Sequence, residues 1–203
     1  MEIGVVIFPG SNCDSETLEF LSHYVGIKVN KIWHKETNIK KHFMYIFPGG
    51  FSYGDYMRAG KLATFSPALK EIYNHITNEN SKALGICNGF QILCEMKILP
   101  GTLLKNENCQ FICKTVEISN STGKYMIPIA HGQGNYYHPN PETINVAYTY
   151  TDNPNGSVSN IAGIYNEKEN VLGMMPHPER AFKLFHASQD GFKILDQFLQ
   201  KNI

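Results

Sequence analysis

Lys82-Ala-Leu-Gly-Ile-Cys87-Asn-Gly-Phe-Gln91 is the most informative stretch of the chain. Its first half is short and apolar, as suits a strand covered on both faces in a parallel sheet. Its second half opens an amphipathic helix, with Phe90, Ile92, Leu93 and Met96 on one face. Between them, Gly85-Ile-Cys87-Asn-Gly89 has the G-x-nucleophile-x-G form of a nucleophile elbow. In that strand-to-helix turn the nucleophile takes a strained conformation, and the flanking glycines avoid the resulting crowding. At a helix N-terminus the Cys87 thiol would meet unpaired N–H groups and the positive end of the helix dipole, both of which favour thiolate. The backbone N–H of Asn88 would point at a developing oxyanion. The bland alternative is a small buried hydrophobe, the usual fate of a free cysteine.

The flanking sequence repeats this strand-then-helix order. Ile3-Gly-Val-Val-Ile-Phe8 is an unalternated β-branched run ended by Pro9-Gly10. Leu18, Leu21, Tyr24 and Val25 then recur at helical spacing, with Asp14 as the expected cap and Gly26 as the terminating residue. Strands are predicted over 28–33 and 43–47, a helix over 67–77 and a final amphipathic helix over 190–199. The third strand runs into Pro48-Gly-Gly-Phe-Ser-Tyr-Gly-Asp55, whose glycines permit unusual backbone angles. Such alternation predicts an α/β fold with a mainly parallel sheet, as one domain over 3–200. From Thr102 to Tyr165 the texture becomes β-rich, with strands predicted over 111–118 and 145–150 and laid beside the main sheet; Val171 to Met174 is a further strand.

Composition narrows the classes of function. The 203 residues are 42% hydrophobic and 18% charged, which is globular and excludes disordered and collagen-like chains. Lys plus Arg and Asp plus Glu are 18 each, so no net field draws the chain to nucleic acid or to an anionic membrane. The first apolar stretch is too short for a signal or a membrane span, so the expected compartment is the cytoplasm. Five cysteines are thin for a disulfide framework and read as reduced thiols. Cys13, between Asp14 and Glu16, lacks the elbow glycines, Cys94 falls inside a helix, and Cys109 and Cys113 share a predicted strand with no matching zinc ligands. No metal is assigned.

A cysteine nucleophile needs a proton acceptor, and Pro176-His177-Pro-Glu179 offers one. Proline after His177 biases it to extended backbone, where residues two apart point the same way, so Glu179 could orient the imidazole. The bland reading is a solvated surface turn. Two glycine loops, Gly49-Gly50 and His131-Gly-Gln-Gly-Asn135, match no phosphate-binding pattern. Gly50 is an oxyanion-donor candidate or a tight turn.

Together these residues resemble the class I (triad) glutamine amidotransferases. Pro9-Gly-Ser-Asn-Cys-Asp14, Phe47-Pro-Gly-Gly-Phe-Ser-Tyr-Gly-Asp-Tyr56, Gly85-Ile-Cys-Asn-Gly-Phe-Gln91 and Leu172-Gly-Met-Met-Pro-His-Pro-Glu-Arg180 are similar, within that group, to the glutaminase subunits of phosphoribosylformylglycinamidine synthase. The resemblance implies a three-layer flavodoxin-like fold with an added β-rich segment. It implies Cys87 as nucleophile on L-glutamine, His177 as proton shuttle, Glu179 as its orienter, and Gly50 and Asn88 as oxyanion donors. It also implies Gly49, Phe51, Gln91, His131 and Gly132 as glutamine contacts. The ammonia released would pass to a large synthase subunit that uses ATP and Mg²⁺, with a small bridging subunit, while this chain carries no cofactor. Gln133 stands where many relatives have Glu, and the stretch Ser119 to Tyr125 is shorter than usual. The rivals are a stand-alone cysteine hydrolase, such as a γ-glutamyl hydrolase or peptidase, and a non-catalytic regulatory subunit.

Overall fold

The computed structural model describes residues 1–201. In chain order it holds β1 (Glu2–Ile7), α1 (Asp14–Ser22), β2 (Lys28–Trp33), β3 (Met44–Phe47), α2 (Pro67–Thr77), β4 (Lys82–Ile86) and α3 (Asn88–Glu95). Then follow β5 (Thr102–Leu104), β6 (Ile112–Asn120), β7 (Gly123–His131), β8 (Asn135–Tyr137), β9 (Val146–Tyr150), β10 (Ile161–Tyr165), β11 (Val171–Met174) and α4 (Gly191–Gln200).

A nine-stranded sheet runs β2-β1-β3-β4-β11-β10-β9-β6-β7. The five strands from β2 to β11 are parallel, and the other four are added antiparallel. The α/β class read from the strand–helix alternation, and the flavodoxin-like arrangement that the resemblance implies, are the ones observed. The β-rich segment, however, joins the sheet itself rather than lying beside it; only β5 and β8 form a separate ribbon. The reason is visible in β6 and β7, whose alternating burial gives one apolar face to continue the core and leaves polar side chains outward. Their hairpin closes tightly, with Asn120 paired to Gly123. Strand β7 and the ribbon were not read from the sequence, because Pro128 and the Asn-rich loops mask their patterns.

The core is built where the unalternated runs predict it. Val5, Val6, Tyr45, Ile46, Leu84, Ile86, Leu172 and Met174 are each at most 1% exposed. Helices α1 and α4 pack together through stacked Phe20 and Phe192, with centroids 5.1 Å apart, and α4 buries Ile194, Leu195 and Phe198 completely. Each such side chain contributes roughly 1.5–3 kcal/mol. Lys82, buried in β4, donates from Nζ to Phe198 O at 2.9 Å and to Lys201 O, satisfying carbonyls at the end of α4. Two helix boundaries differ from expectation. Asp14 is the first helical residue and Cys13 precedes it, and α1 ends before His23, so Gly26 (φ 81°) serves a later turn.

Registers such as Phe47 opposite Gly85 and Ile86 opposite Met174 bring the carboxyl ends of β3, β4 and β11 level. In open α/β sheets that end carries the ligand site. Among the described residues no helix is long and apolar enough to cross a membrane.

Candidate active site

Cys87 occupies the turn between β4 and α3 with φ 52° and ψ −104°, a region a non-glycine residue enters only under constraint. Its N–H donates to Met174 O at 2.8 Å, which ties the turn to β11. The elbow glycine has a steric cause: a Cβ on Gly89 would lie 1.9 Å from Phe47 O, because α3 starts against the end of β3. Gly89→Ala is therefore expected to destabilise the protein by about 1–3 kcal/mol and to displace the thiol. A denaturant midpoint and the rate of thiol alkylation, each compared with the parent chain, check this.

His177 follows β11 and is 1% exposed. Its own backbone is near-extended (φ −106°, ψ 87°), but Pro178–Arg180 form a 3-10 turn. That turn brings Glu179, fully buried, back under the ring, so Nδ1–H donates to Glu179 Oε1 at 2.6 Å. The Pro-flanked spacing predicts a shared face of extended chain; the turn achieves the same pairing differently. The solvated-turn reading is excluded by the burial of both groups. Nε2 is buried without a hydrogen-bond partner, leaving it free toward Cys87, whose sulfur faces Ala130 O at 3.7 Å. Burial works against the imidazolium, yet the neighbouring charges of Glu179 and Cys87 outweigh it and hold the pKa of His177 well above the ordinary histidine value.

A cavity of about 90 Å³ opens onto Cys87, between Gly50 and Phe51 on one side and Ala130, His131, Gly132 and Gln133 on the other. Asp55, Gln91 and Phe111 complete its wall. Gly50 has φ 131°, and a Cβ there would fall 2.6 Å from Gly10 O, so the β1 and β3 loops lock together only through a glycine. Asn88 is the first residue of α3, whose N–H has no partner inside the helix. Its side chain accepts from Ser52 N–H at 3.1 Å, holding the glycine loop beside the elbow. Gly50 and Asn88 therefore flank the sulfur as candidate oxyanion donors.

The other sequence candidates fall into two groups. Phe51 and Gly132 line the cavity as free surface, while His131 and Gln91 line it with their side chains already engaged, Gln91 donating to Gln133 O at 2.7 Å and accepting from Asn88 Nδ2 at 2.9 Å. Gly49 is absent from the cavity wall and lies behind His177; a Cβ there would be 2.7 Å from Cε1 of the ring. His131 is held by Asn106 Oδ1 at 3.0 Å, and burial, with the charge on His177, pushes it down to about 4, so it is neutral.

Sequence reasoning missed three neighbours. Cys13, set aside above, is buried beside His177, with its sulfur accepting from Arg180 Nη2 at 3.2 Å. Burial pushes its thiol pKa up despite the adjacent His177. Arg180 itself is fixed to Glu16 at 2.9 Å. Asn106, 1% exposed, donates to Gln110 O and His131 O and braces the second glycine loop. The available signal for Cys13 was its position in the loop after β1, at the carboxyl end of the sheet. Cys13, His177 and Glu179 present donor atoms within 4.8 Å of one another, a set able to hold a metal, although Nδ1 and Oε1 are bonded together and a guanidinium already faces the sulfur. Cys109 and Cys113 are both exposed, and Cys109 lies in a turn at φ 55° rather than sharing a strand with Cys113.

Comparison with known proteins gives the same picture. The chain is similar to a chain in the structure of PurLQS from Thermotoga maritima, with 38% identity over 98% of this chain and 97% of that one, and a TM-score of 0.90. A Thermoplasma acidophilum protein assigned to GMP synthase shares the fold at 16% identity, 98% and 92% coverage and a TM-score of 0.68. A glutamine amidotransferase from Thermotoga maritima does so at 15% identity, 89% and 77% coverage and a TM-score of 0.57. Residues 1–193 match the family model of the CobB/CobQ-like glutamine amidotransferase domain, and the chain belongs to that family.

Proposed function

We propose that this chain is the glutaminase subunit of phosphoribosylformylglycinamidine synthase, supplying ammonia for de novo purine synthesis. The observation that carries the reading is the 38% identity, across nearly all of both chains, to a chain of PurLQS, on a fold that assembles a Cys-His-Glu set. Cys87 Sγ attacks the side-chain amide carbon of glutamine as His177 Nε2 takes its proton. The tetrahedral oxyanion accepts hydrogen bonds from the Gly50 and Asn88 N–H groups. Collapse expels ammonia, protonated by His177, and leaves a γ-glutamyl thioester on Cys87; water, deprotonated by His177, then releases glutamate. Glu179 holds the tautomer in which Nε2 is the acceptor.

On this reading ATP and Mg²⁺ act in the large synthase chain, this chain binds no cofactor, a small bridging subunit completes the assembly, and the site of action is the cytoplasm. Unused ammonia is lost, so coupling is expected: the isolated chain is a slow glutaminase, and adding the bridging subunit, the synthase and ADP or ATP raises glutamate formation by at least about 10-fold. Such a factor corresponds to a typical coupling between sites. The measurement is glutamate production at saturating glutamine. An isolated chain as fast as the mixture, with no co-elution on a sizing column, would favour the stand-alone hydrolase instead.

A further inference from the structure

The cavity beside Cys87 has one carboxylate in its wall. Asp55 closes the Phe51-Ser-Tyr-Gly-Asp55 loop, whose residues Tyr53, Gly54 and Asp55 all have φ between 54° and 66°. Tyrosine gains nothing from that region, so the loop is held there by its surroundings, and the conformation aims Asp55 inward. Among the described residues no lysine, arginine or histidine pairs with it. The cations next along the chain are spent elsewhere, Arg58 and Lys61 both lying on Glu95. The contact Asp55 does make is from the neutral Asn88 amide, whose Nδ2 is 3.4 Å from Oδ1. Burial without a counter-charge pushes its carboxyl up to about 6. His131 opposite is neutral and already bonded.

A half-buried carboxylate with no cation, in the wall of a substrate cavity, is costly unless the ligand supplies the charge. Glutamine does. Once its amide carbon reaches Cys87, two methylenes separate that carbon from Cα, so its ammonium and carboxylate lie toward the cavity mouth. We propose that Asp55 accepts the α-ammonium group of glutamine and thereby selects α-amino acid amides over amides that lack it. This rests on the glutaminase reading and extends it to how the substrate is recognised.

The test compares L-glutamine with glutaramate (4-carbamoylbutanoate), which has the same amide arm and carboxylate but no ammonium. Ammonia release is followed for the chain in complex with its synthase partner. The parent chain is expected to prefer glutamine in kcat/KM by at least about 10-fold, the range for a charge-assisted hydrogen bond. In Asp55→Asn the KM for glutamine rises about 10–100-fold, kcat changes much less, and glutaramate turnover moves by under about 3-fold, so the preference collapses. Asp55→Glu restores part of it. A preference unchanged in Asp55→Asn, or an equal loss on both substrates with no recovery in Asp55→Glu, overturns the assignment. So does a parent chain that does not discriminate, a result needing no variant to fold. A parent complex inert toward glutamine but active on another amide would overturn the glutaminase reading itself, and with it this role.

Discussion

Cys87→Ala is expected to reduce glutamine hydrolysis by at least about 10⁴-fold, to the level left by substrate binding and the oxyanion donors alone. The reason is positional as well as chemical. Of the five cysteines, Cys87 alone stands on the strained turn at the head of α3 and opens onto the cavity. Cys94 is buried inside α3, and burial pushes its pKa far up; Cys109 and Cys113 are exposed away from the cavity wall. Cys13 is the informative control, because it lies beside the same imidazole but not in the cavity wall. Cys13→Ala should retain the thioester step, seen as a burst of glutamate-labelled protein on acid quenching. A Cys87→Ala protein with normal turnover, or labelling that follows Cys13, would overturn the assignment.

His177→Ala is expected to lose nearly as much, because nucleophile and base act as one unit whose losses do not add. The double variant with Cys87→Ala should then be no worse than either single one. No second histidine is placed to take over. His131, which lines the cavity, is already neutral, but its Nδ1 is bonded to Asn106 and Asn155 approaches its Nε2 at 3.5 Å. Glu179→Gln should cost roughly 10–100-fold less than His177→Ala, since an orienting carboxylate is worth less than the base it orients. The check is the rate of glutamate formation under single-turnover conditions, measured for all four variants in complex with the synthase. Full activity in purified His177→Ala would mean that the proton leaves by another route.

The parallel half of the sheet and the elbow were legible because each has a local signature. Unalternated β-branched runs mark buried strands, and the glycines around Cys87 mark a turn no other residue can make. The His177–Glu179 pair was legible in kind, because two residues so close in sequence have few ways to meet, although the 3-10 turn that joins them was not foreseen. What escaped were features set by contacts between distant segments. Cys13 reaches His177 across the Gly49 backbone of the loop after β3, to which its N–H donates, and its acidic neighbour Glu16 is occupied by Arg180. Asp55 looked like one more polar residue in a glycine loop. Its isolation from cations is a property of where Arg58 and Lys61 end up, and no local pattern reports that. Of the antiparallel extension, β6 and β9 were legible as β-rich runs, whereas β7, interrupted by Pro128, and the way these strands join the main sheet were not.

The side-by-side placement of β4 and β11 also bears on how the enzyme comes into being. These two strands are hydrogen-bonded neighbours, yet Ile86 and its partner Met174 are separated by almost half the chain, with four strands of the antiparallel extension synthesised between them. Parallel pairing at such separation closes late, after its loop entropy has been met by other contacts. A ribosome-bound chain that has emerged only as far as β10 therefore already displays the elbow cysteine but has neither the strand that anchors it nor the imidazole that activates it. Hydrolytic competence therefore waits on β11 and the turn that follows it, so a chain that stops short of His177 carries the nucleophile but cannot drain the amino-acid pool.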